Sequence, residues 1–261
     1  MSELDLFFEN NYGVSAGACH LCSYLAKQYK RAFRVNVDYL NDKRYCSVHS
    51  LLKTGNLFGA EMLYDIIPNE LDLFDYDTYN KNESNFYVVI TDINTGKPEY
   101  VKIGDLKKDI IYVRASSSLP LLAQNVKIND KEYLDGGISD SIPIKKSIAD
   151  GNKKNVVILT RDSTYRKGKN SLMPIIKLKY KKYPNFVKSM ADRYIVYNEI
   201  LDFIKELEDN GDVFVIRPKK PVNIGRTEKN REKLEALYND GYNDAKDCYE
   251  ELLKYLGKEN L

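Results

Sequence analysis

The sequence predicts an α/β fold with a largely parallel sheet. Short segments rich in β-branched and aromatic residues, bounded by Gly, Asn or Asp, alternate with segments of helical periodicity. The 261 residues are enough to bury a sizeable core. No internal repeat or low-complexity segment interrupts the alternation, so we expect an ordinary folded α/β protein.

Strand-like segments occur at five places along the chain. They are residues 86–91, 100–103, 126–128, 156–160 and 213–217. A further short strand is expected to end at Asp135, because Tyr133 and Leu134 lead directly into Asp135-Gly136-Gly137.

Helical periodicity is clearest in three segments. One apolar stripe begins just after Gly17, the second segment spans residues 186–207, and the third spans residues 234–252. Residues 217–226 are basic and broken by proline, which indicates a connecting loop. We therefore expect a main α/β domain at 1–217 and a helical extension at 218–261.

The composition excludes several functional classes. Lys and Arg number 40 against 38 Asp and Glu, so the net charge of +2 gives no general reason to expect nucleic acid binding. No apolar run approaches the roughly 18 residues that span a bilayer, and the acidic start does not resemble a secretory signal. With four scattered cysteines and no disulfide framework, the expected location is the cytoplasm, peripheral to a membrane.

The most specific local motif is Gly13-Val14-Ser15-Ala16-Gly17, a G-x-S-x-G sequence. In a nucleophile elbow a strand turns sharply into a helix and presents the serine, and flanking glycines avoid steric clashes. The helix that follows would direct its free N–H groups toward a developing oxyanion. The alternative interpretation is a glycine-rich turn from strand to helix without chemistry.

A nucleophilic serine needs a base, and the positions of the histidines argue against a conventional triad. The chain has only His20 and His49, and neither follows a distant acidic residue as the order Ser, acid, His of α/β-hydrolases requires. A carboxylate is the remaining base. Asp135, followed by Gly136 and Gly137, is the best candidate, although the same residues also suit a simple hairpin turn.

The ordered set of motifs resembles the patatin-like phospholipase family, in its bacterial branch. It consists of G-x-S-x-G, the segment 115–120, Asp135-Gly136-Gly137, and the segments 91–96, 138–144 and 157–161. The resemblance implies a three-layer α/β/α sandwich with a mainly parallel central sheet. It also implies that Ser15 is the nucleophile, that Asp135 is the base, and that a lipid or acyl ester is hydrolysed through an acyl-serine intermediate without cofactor or metal.

The sequence departs from the family at its N-terminal edge. Patatin-like domains open with a strand and a glycine-rich oxyanion loop, and only 14 residues precede Ser15 here. We therefore expect this first strand and loop to be missing, which leaves the Ala16 backbone as oxyanion donor. In addition, Glu9-Asn10-Asn11 stands where a buried strand would be apolar. An impaired remnant or a lipid-binding pseudoenzyme is the alternative to an active hydrolase, and a histidine-dependent esterase is a third hypothesis.

Two further features bear on partners. Residues 163–191 contain eight Lys or Arg and no acid, interleaved with aromatic residues, which predicts contact with an anionic membrane or, alternatively, a solvated loop. An exposed sheet edge beside Ser15 would favour self-association. Cys19 and Cys22 share a helix face without a second ligand pair, so we interpret them as packing residues rather than metal ligands.

Overall fold

The computed structural model describes residues 5–258 and shows an α/β fold, which confirms the predicted class. The helices are α1 (Ala16–Leu25), α2 (Arg31–Val37), α3 (Val48–Thr54), α4 (Tyr76–Lys81), α5 (Leu106–Ser116), α6 (Ile144–Ala149), α7 (Met173–Lys179), α8 (Pro184–Asp209), α9 (Arg231–Asp247) and α10 (Tyr249–Leu256). The strands are β1 (Asn10–Val14), β2 (Asn85–Asp92), β3 (Pro98–Ile103), β4 (Val126–Ile128), β5 (Lys131–Asp135), β6 (Asn155–Ile158) and β7 (Val213–Ile216). A π-helix (Met62–Leu71) and a 3₁₀ helix (Gly136–Ile138) are also present.

The chain forms two compact units, each made from two stretches of sequence. The first unit contains the residues up to Pro143 together with Lys169–Tyr194, and it holds β1 to β5. The second contains Ile144–Gly168 and the residues from Ile195 onward, and it holds β6 and β7. The predicted domain boundary between residues 217 and 218 stays a prediction.

Strand β2 lies at the centre of the five-stranded sheet and fixes the positions of its neighbours. Along one edge it pairs with β3 over residues 86–91. Along the other edge, β1 pairs with it in parallel and ends with Val14 opposite Val89, whereas β5 is antiparallel and ends with Asp135 opposite Ile90. The two strands therefore lie end to end on one edge of β2, and their carboxyl ends meet there.

The strand pairing is mixed rather than mainly parallel. The β1–β2 and β6–β7 pairs are parallel, and the β2–β3, β2–β5 and β4–β5 pairs are antiparallel. Two of the antiparallel pairs, β2–β3 and β4–β5, follow from short connections, since residues 93–97 join β2 to β3 and the two residues 129–130 join β4 to β5. Only a hairpin can close over so few residues, because a parallel connection needs a dozen or more.

The core of the first unit lies between β2 and the helices α1 and α5. Phe86, Val88 and Ile90 of β2 are at most 1% exposed, and they pack in one cluster with Ala18 of α1 and Val113 of α5. Helix α1 supplies this contact with one face, as the stripe of apolar residues after Gly17 predicted. The same packing fixes the direction in which α1 leaves the sheet.

Several helices begin at side-chain caps that their sequences supply. The side chains of Ser47, Asp105 and Asn230 accept hydrogen bonds from the backbone N–H groups of the first turns of α3, α5 and α9, respectively. Such caps satisfy donors that have no partner inside the helix, and each stabilises its helix by about 1 kcal/mol.

Most of the predicted longer elements are confirmed. The predicted strands at residues 86–91, 100–103 and 126–128 correspond to β2, β3 and β4, and the predicted helix at 186–207 lies within α8. The strands predicted at 156–160 and 213–217 end earlier, at Ile158 and Ile216. The C-terminal stretch is two helices, α9 and α10, which are separated at Cys248.

The polar segment before Ser15 forms a strand, although the sequence looked unlike one. Asn11 in β1 is only 7% exposed. Its side-chain amide donates to the carbonyl oxygens of Phe8 (2.9 Å) and Asn85 (3.3 Å), so its burial does not leave the donor unpaired. Among residues 5–258, no helix has the length and apolar character needed to cross a bilayer.

Candidate active site

Ser15 lies at the sharp turn between β1 and α1, where the G-x-S-x-G motif predicted an elbow. Its backbone has φ 54° and ψ −123°, which a non-glycine residue rarely adopts. The strand ends at Val14 and the helix begins at Ala16, so Ser15 alone makes the turn. This geometry is that of a nucleophile elbow.

The two glycines of the motif differ in their surroundings. A Cβ atom on Gly13 would lie 2.6 Å from the Cα atom of Ala18, so glycine is needed for the close packing of α1 against β1. A Cβ atom on Gly17 would have no heavy atom within 4 Å. The expectation that both glycines avoid clashes is therefore wrong for Gly17, because that residue faces open space at the start of the helix.

Asp135 lies beside Ser15 because β1 and β5 end at the same point along β2. The Oγ atom of Ser15 donates a hydrogen bond of 2.6 Å to Oδ2 of Asp135. The two residues are 120 positions apart in sequence, and the sheet register brings them together. The residues that the sequence proposed as nucleophile and base are thus in direct contact.

Asp135 is held from several sides through its backbone and its carboxylate, and the residue is only 1% exposed. Its Oδ1 atom accepts a 2.8 Å hydrogen bond from the N–H group of Gly137. Its own N–H group donates to the carbonyl oxygen of Ser118 (2.9 Å), and the hydroxyl of Thr91 donates to its carbonyl oxygen (2.8 Å). These bonds leave Oδ2 directed at Ser15.

Gly136 allows the chain after Asp135 to turn closely over β2. A Cβ atom at this position would lie 2.0 Å from the carbonyl oxygen of Val89, which no real structure tolerates. Gly137 is less constrained sterically, and its contribution is the N–H group that binds Asp135. The D-G-G sequence thus combines one position of close packing with one hydrogen-bond donor.

Two backbone N–H groups are relevant to an oxyanion. The N–H group of Ser15 donates to the Oγ atom of Ser116 (2.8 Å), which fixes the turn from the side of α5. The N–H group of Ala16 is at the first position of α1, where helix geometry provides no acceptor within the helix. Ala16 itself is exposed.

Cys19 lies one helical turn beyond Ser15 on α1. Its sulfur is 3.4 Å from the Oγ atom of Ser117, and burial raises the pKa of its thiol, with the charge of Asp135 acting in the same direction. Ser117 also borders a small cavity, which has a volume of about 20 Å³. It is lined by Ser117, Tyr64, Arg114 and neighbouring residues. A thiol with a raised pKa stays neutral near pH 7, which agrees with the interpretation of Cys19 as a packing residue.

The remaining sequence candidates lie away from Ser15. His20 and His49 are exposed, and among the described residues the hydroxyl of Ser15 bonds to a carboxylate, not to an imidazole. Cys22 is buried in the core cluster, and its thiol donates to the carbonyl oxygen of Ala18. No group of three or more residues that could hold a metal ion occurs within residues 5–258.

Two residues near the site have roles that no sequence pattern indicates. Ser116 lies within the segment 115–120 that contributes to the family resemblance, and it is 101 residues from Ser15 in sequence, so only the fold brings the two residues together. The guanidinium of Arg193, on α8, lies close to Gly137. A Cβ atom built on Gly137 would be 3.1 Å from Nη2 of Arg193. No local pattern around Arg193 could have indicated this approach.

Comparison with known proteins gives matches to two families. The model described as patatin-like phospholipase matches residues 1–147, and a domain of unknown function, DUF6363, matches residues 183–257. An uncharacterized protein of Escherichia coli (strain K12), YjjU, is 26% identical over 231 residues, which is 82% of this chain. The match spans 61% of that relative, so the chain corresponds to about three fifths of its length.

Proposed function

Because the chain belongs to the patatin-like phospholipase family, we propose that it is a lipid acyl hydrolase in which Ser15 is the nucleophile and Asp135 the base. The family supports lipid hydrolysis in general terms. The assignment of the two residues depends on one observation, the 2.6 Å hydrogen bond from Ser15 Oγ to Asp135 Oδ2. In addition, the strained backbone of Ser15 supports a catalytic role, since such strain is concentrated at functional sites.

In the proposed acylation step, Ser15 Oγ attacks the carbonyl carbon of the ester while its proton passes to Asp135 Oδ2. The new Oγ–C bond produces a tetrahedral intermediate with a negatively charged oxygen. When that intermediate collapses, the C–O bond to the alcohol breaks and Asp135 returns the proton to the departing oxygen. The products of this half are a free alcohol and an acyl group on Ser15.

The developing oxyanion needs hydrogen-bond donors that are already in place. The N–H group of Ala16 and the positive end of the α1 dipole are the groups that this part of the chain supplies. Loss of a single donor typically lowers the rate by about 10²–10³. The rate of this chain therefore depends on how many donors join Ala16 around the bound ester.

Deacylation repeats the sequence with water as the nucleophile. Asp135 takes a proton from the water molecule, whose oxygen adds to the acyl carbon. Cleavage of the Oγ–C bond then releases the fatty acid, and Ser15 recovers the proton from Asp135. A buried carboxylate fits this role because it is held in one orientation by Gly137 and requires no histidine.

We also propose that the substrate is drawn from a membrane surface. The basic segment of residues 163–191 supports a peripheral contact with anionic lipid, because its eight cationic side chains are not balanced by an acid within the segment. Such a contact would bring an ester-bearing surface to a protein whose described helices do not themselves span it.

The proposal is tested by labelling the purified chain with an alkyl fluorophosphonate and by assaying a small soluble ester such as 4-nitrophenyl butyrate. We expect the probe to phosphonylate Ser15, with fluoride as the leaving group. Ser15→Ala should abolish labelling and hydrolysis, and Asp135→Asn should lower both by at least about 10²-fold. Mass spectrometry of the labelled peptide identifies the modified residue.

Matched variants at other positions test whether the loss of labelling and hydrolysis is specific to Ser15 and Asp135. Ser171→Ala and Asp130→Asn change exposed residues of the same types and should leave labelling and hydrolysis unchanged. A folded wild-type chain that is neither labelled nor active would reject the enzyme and favour the lipid-binding pseudoenzyme. Labelling that persists in Ser15→Ala would assign the reaction to another residue.

A further inference from the structure

Helix α7 exposes large apolar side chains on the first unit. Leu172, Ile175 and Leu178 are 49%, 53% and 73% exposed, respectively. The opposite face of the same short helix is anchored, since Ile176 is only 1% exposed. The exposed apolar residues are therefore held in a fixed position by a well-packed element.

Lysines surround this apolar face. Lys177, Lys179, Lys181 and Lys182 are all exposed. Within the part of the chain that the structure describes, none of the four forms an ion pair with an acidic side chain. The residues 163–191 also contain no acid, so no neighbouring carboxylate in sequence neutralises them.

A helix with exposed apolar residues and exposed lysines matches the chemistry of an anionic lipid surface. The apolar side chains can enter the boundary between headgroups and acyl chains, while the ammonium groups remain at the level of the phosphates. A protein partner would need to cover both the apolar residues and the positive charges. A bilayer containing anionic lipid does so without a complementary shape.

We propose that α7, with Leu172 and Lys181-Lys182 at its ends, is the surface on which this protein docks onto anionic membranes. Leu172, Ile175 and Leu178 insert, and the four lysines bind lipid phosphates. The inference rests on the proposed function in one respect only, which is that docking delivers substrate to Ser15. Binding itself does not require catalysis.

The anchored face of α7 connects the docking surface to the candidate active site. Ile176 and Tyr180 belong to one buried cluster with Leu134 and Ile138. Leu134 directly precedes Asp135, and Ile138 directly follows Gly137. Docking through α7 therefore fixes the orientation of the D-G-G segment relative to the lipid surface, because the connection consists of well-packed side chains.

Binding is measured by sedimentation with vesicles of phosphatidylcholine and phosphatidylglycerol, and with vesicles of phosphatidylcholine alone. The Ser15→Ala chain serves as the reference, so that no lipid is consumed. We expect binding to the mixed vesicles that weakens with added salt. The triple change of Leu172, Ile175 and Leu178 to Ser, and the change of Lys177, Lys179, Lys181 and Lys182 to Gln, should each lower affinity by at least about tenfold.

The chain offers matched controls for both sets of changes. Leu52→Ser alters a leucine that is 83% exposed on α3, and the Gln variants of Lys43, Lys53, Lys102 and Lys127 remove four other exposed lysines. Both controls should bind as the reference does. Equal binding by the α7 variants and the reference overturns the proposal. The proposal is also overturned if the reference chain is a dimer in gel filtration, and the α7 variants become monomers but keep their affinity for vesicles.

Hydrolysis of soluble 4-nitrophenyl butyrate separates this inference from the proposed function. In the Ser15-containing chain, the α7 variants should hydrolyse the soluble ester at the wild-type rate and vesicle lipid at least about tenfold more slowly. Vesicle binding without any esterase activity would reject the proposed function and leave the docking surface supported. Activity on both substrates that is insensitive to the α7 changes would reject the docking surface alone.

Discussion

Ser15 adopts a backbone conformation that is unfavourable for every residue except glycine. A non-glycine residue in such a region costs roughly 1–3 kcal/mol, and the surrounding structure must supply that energy. The contact of Gly13 with Ala18 and the bond from the Ser15 N–H group to Ser116 hold the turn in place. A glycine at position 15 would remove the strain, but it would also remove the hydroxyl that contacts Asp135.

The glycines around the candidate site provide a matched test of local packing. Gly136→Ala should destabilise the protein by about 3 kcal/mol, because its Cβ atom would lie 2.0 Å from a backbone oxygen of β2 that cannot move without disturbing the sheet. Gly17→Ala makes the same chemical change in open space within the first turn of α1. It should be neutral or stabilise by up to about 1 kcal/mol.

Both changes are measured as shifts in urea unfolding followed by circular dichroism, since the chain has no tryptophan. Equal stabilities of the two variants would show that β2 does not resist the added methyl group. In that case the close approach of Gly136 to Val89 would not be the reason for glycine at this position.

The residues of the site could be predicted to different degrees. Gly13, Ser15 and Asp135 occur in short motifs whose geometry is local, so the sequence identified them. The partners of those residues depend on long-range pairing. Ser116 reaches Ser15 only because α5 packs beside the elbow, and no spacing rule in the sequence contains that information.

At the scale of elements, the end-to-end arrangement of β1 and β5 on one edge of β2 creates the site. The parallel strand β1 ends opposite Val89 of β2 and leaves the rest of that edge free. The antiparallel strand β5 pairs with the same edge from Ile90 onward. Strand β5 could be expected from its residues, and a strand at β1 only from the elbow motif that follows it, but their meeting point follows from register. A shift of one residue in either strand would turn Asp135 or Ser15 to the opposite face of the sheet.

The long elements were easier to predict than the short helices. Helix α8 and strand β2 have strong periodicity or composition, whereas α2, α3 and α7 have seven residues each. Helices of that length are marginal without tertiary packing. For α7, the buried Ile176 and Tyr180 provide this packing, and the alternation of lysine with apolar residues conceals it in the sequence.

Strand β1 gives a prediction about how polar residues are accommodated in an element. Asn11→Ala should lower the free energy of unfolding by about 1–3 kcal/mol, because the carbonyl oxygens of Phe8 and Asn85 lose their donor in a buried environment. Asn185→Ala on α8 removes an exposed amide that also donates to a backbone carbonyl, and it should change stability by less than about 0.5 kcal/mol. The difference is measured by urea unfolding, and equal effects would mean that burial of Asn11 contributes nothing.

At the scale of the whole molecule, each compact unit is built from two separated stretches of sequence. Residues 169–194 join the first unit although the preceding 25 residues belong to the second. Composition and periodicity delimit only contiguous segments, because they contain no information about where the chain returns. The α/β class could be predicted because it depends on the order of helices and strands, and not on which segments belong to the same unit.

The scarcity of histidine in the whole chain gives a decisive test of the proposed chemistry. The 261 residues contain only His20 and His49, and both are exposed. The double variant His20→Gln/His49→Gln should therefore keep soluble-ester hydrolysis within about twofold of wild type, as expected for exposed substitutions. Its pH–rate profile should also match that of wild type, because neither imidazole takes the proton of Ser15. A histidine acting as general base would instead make the double variant about 10²–10⁴-fold slower. Such a loss, in a variant whose circular dichroism is unchanged, would transfer the role of base from Asp135 to an imidazole that has to move to reach Ser15.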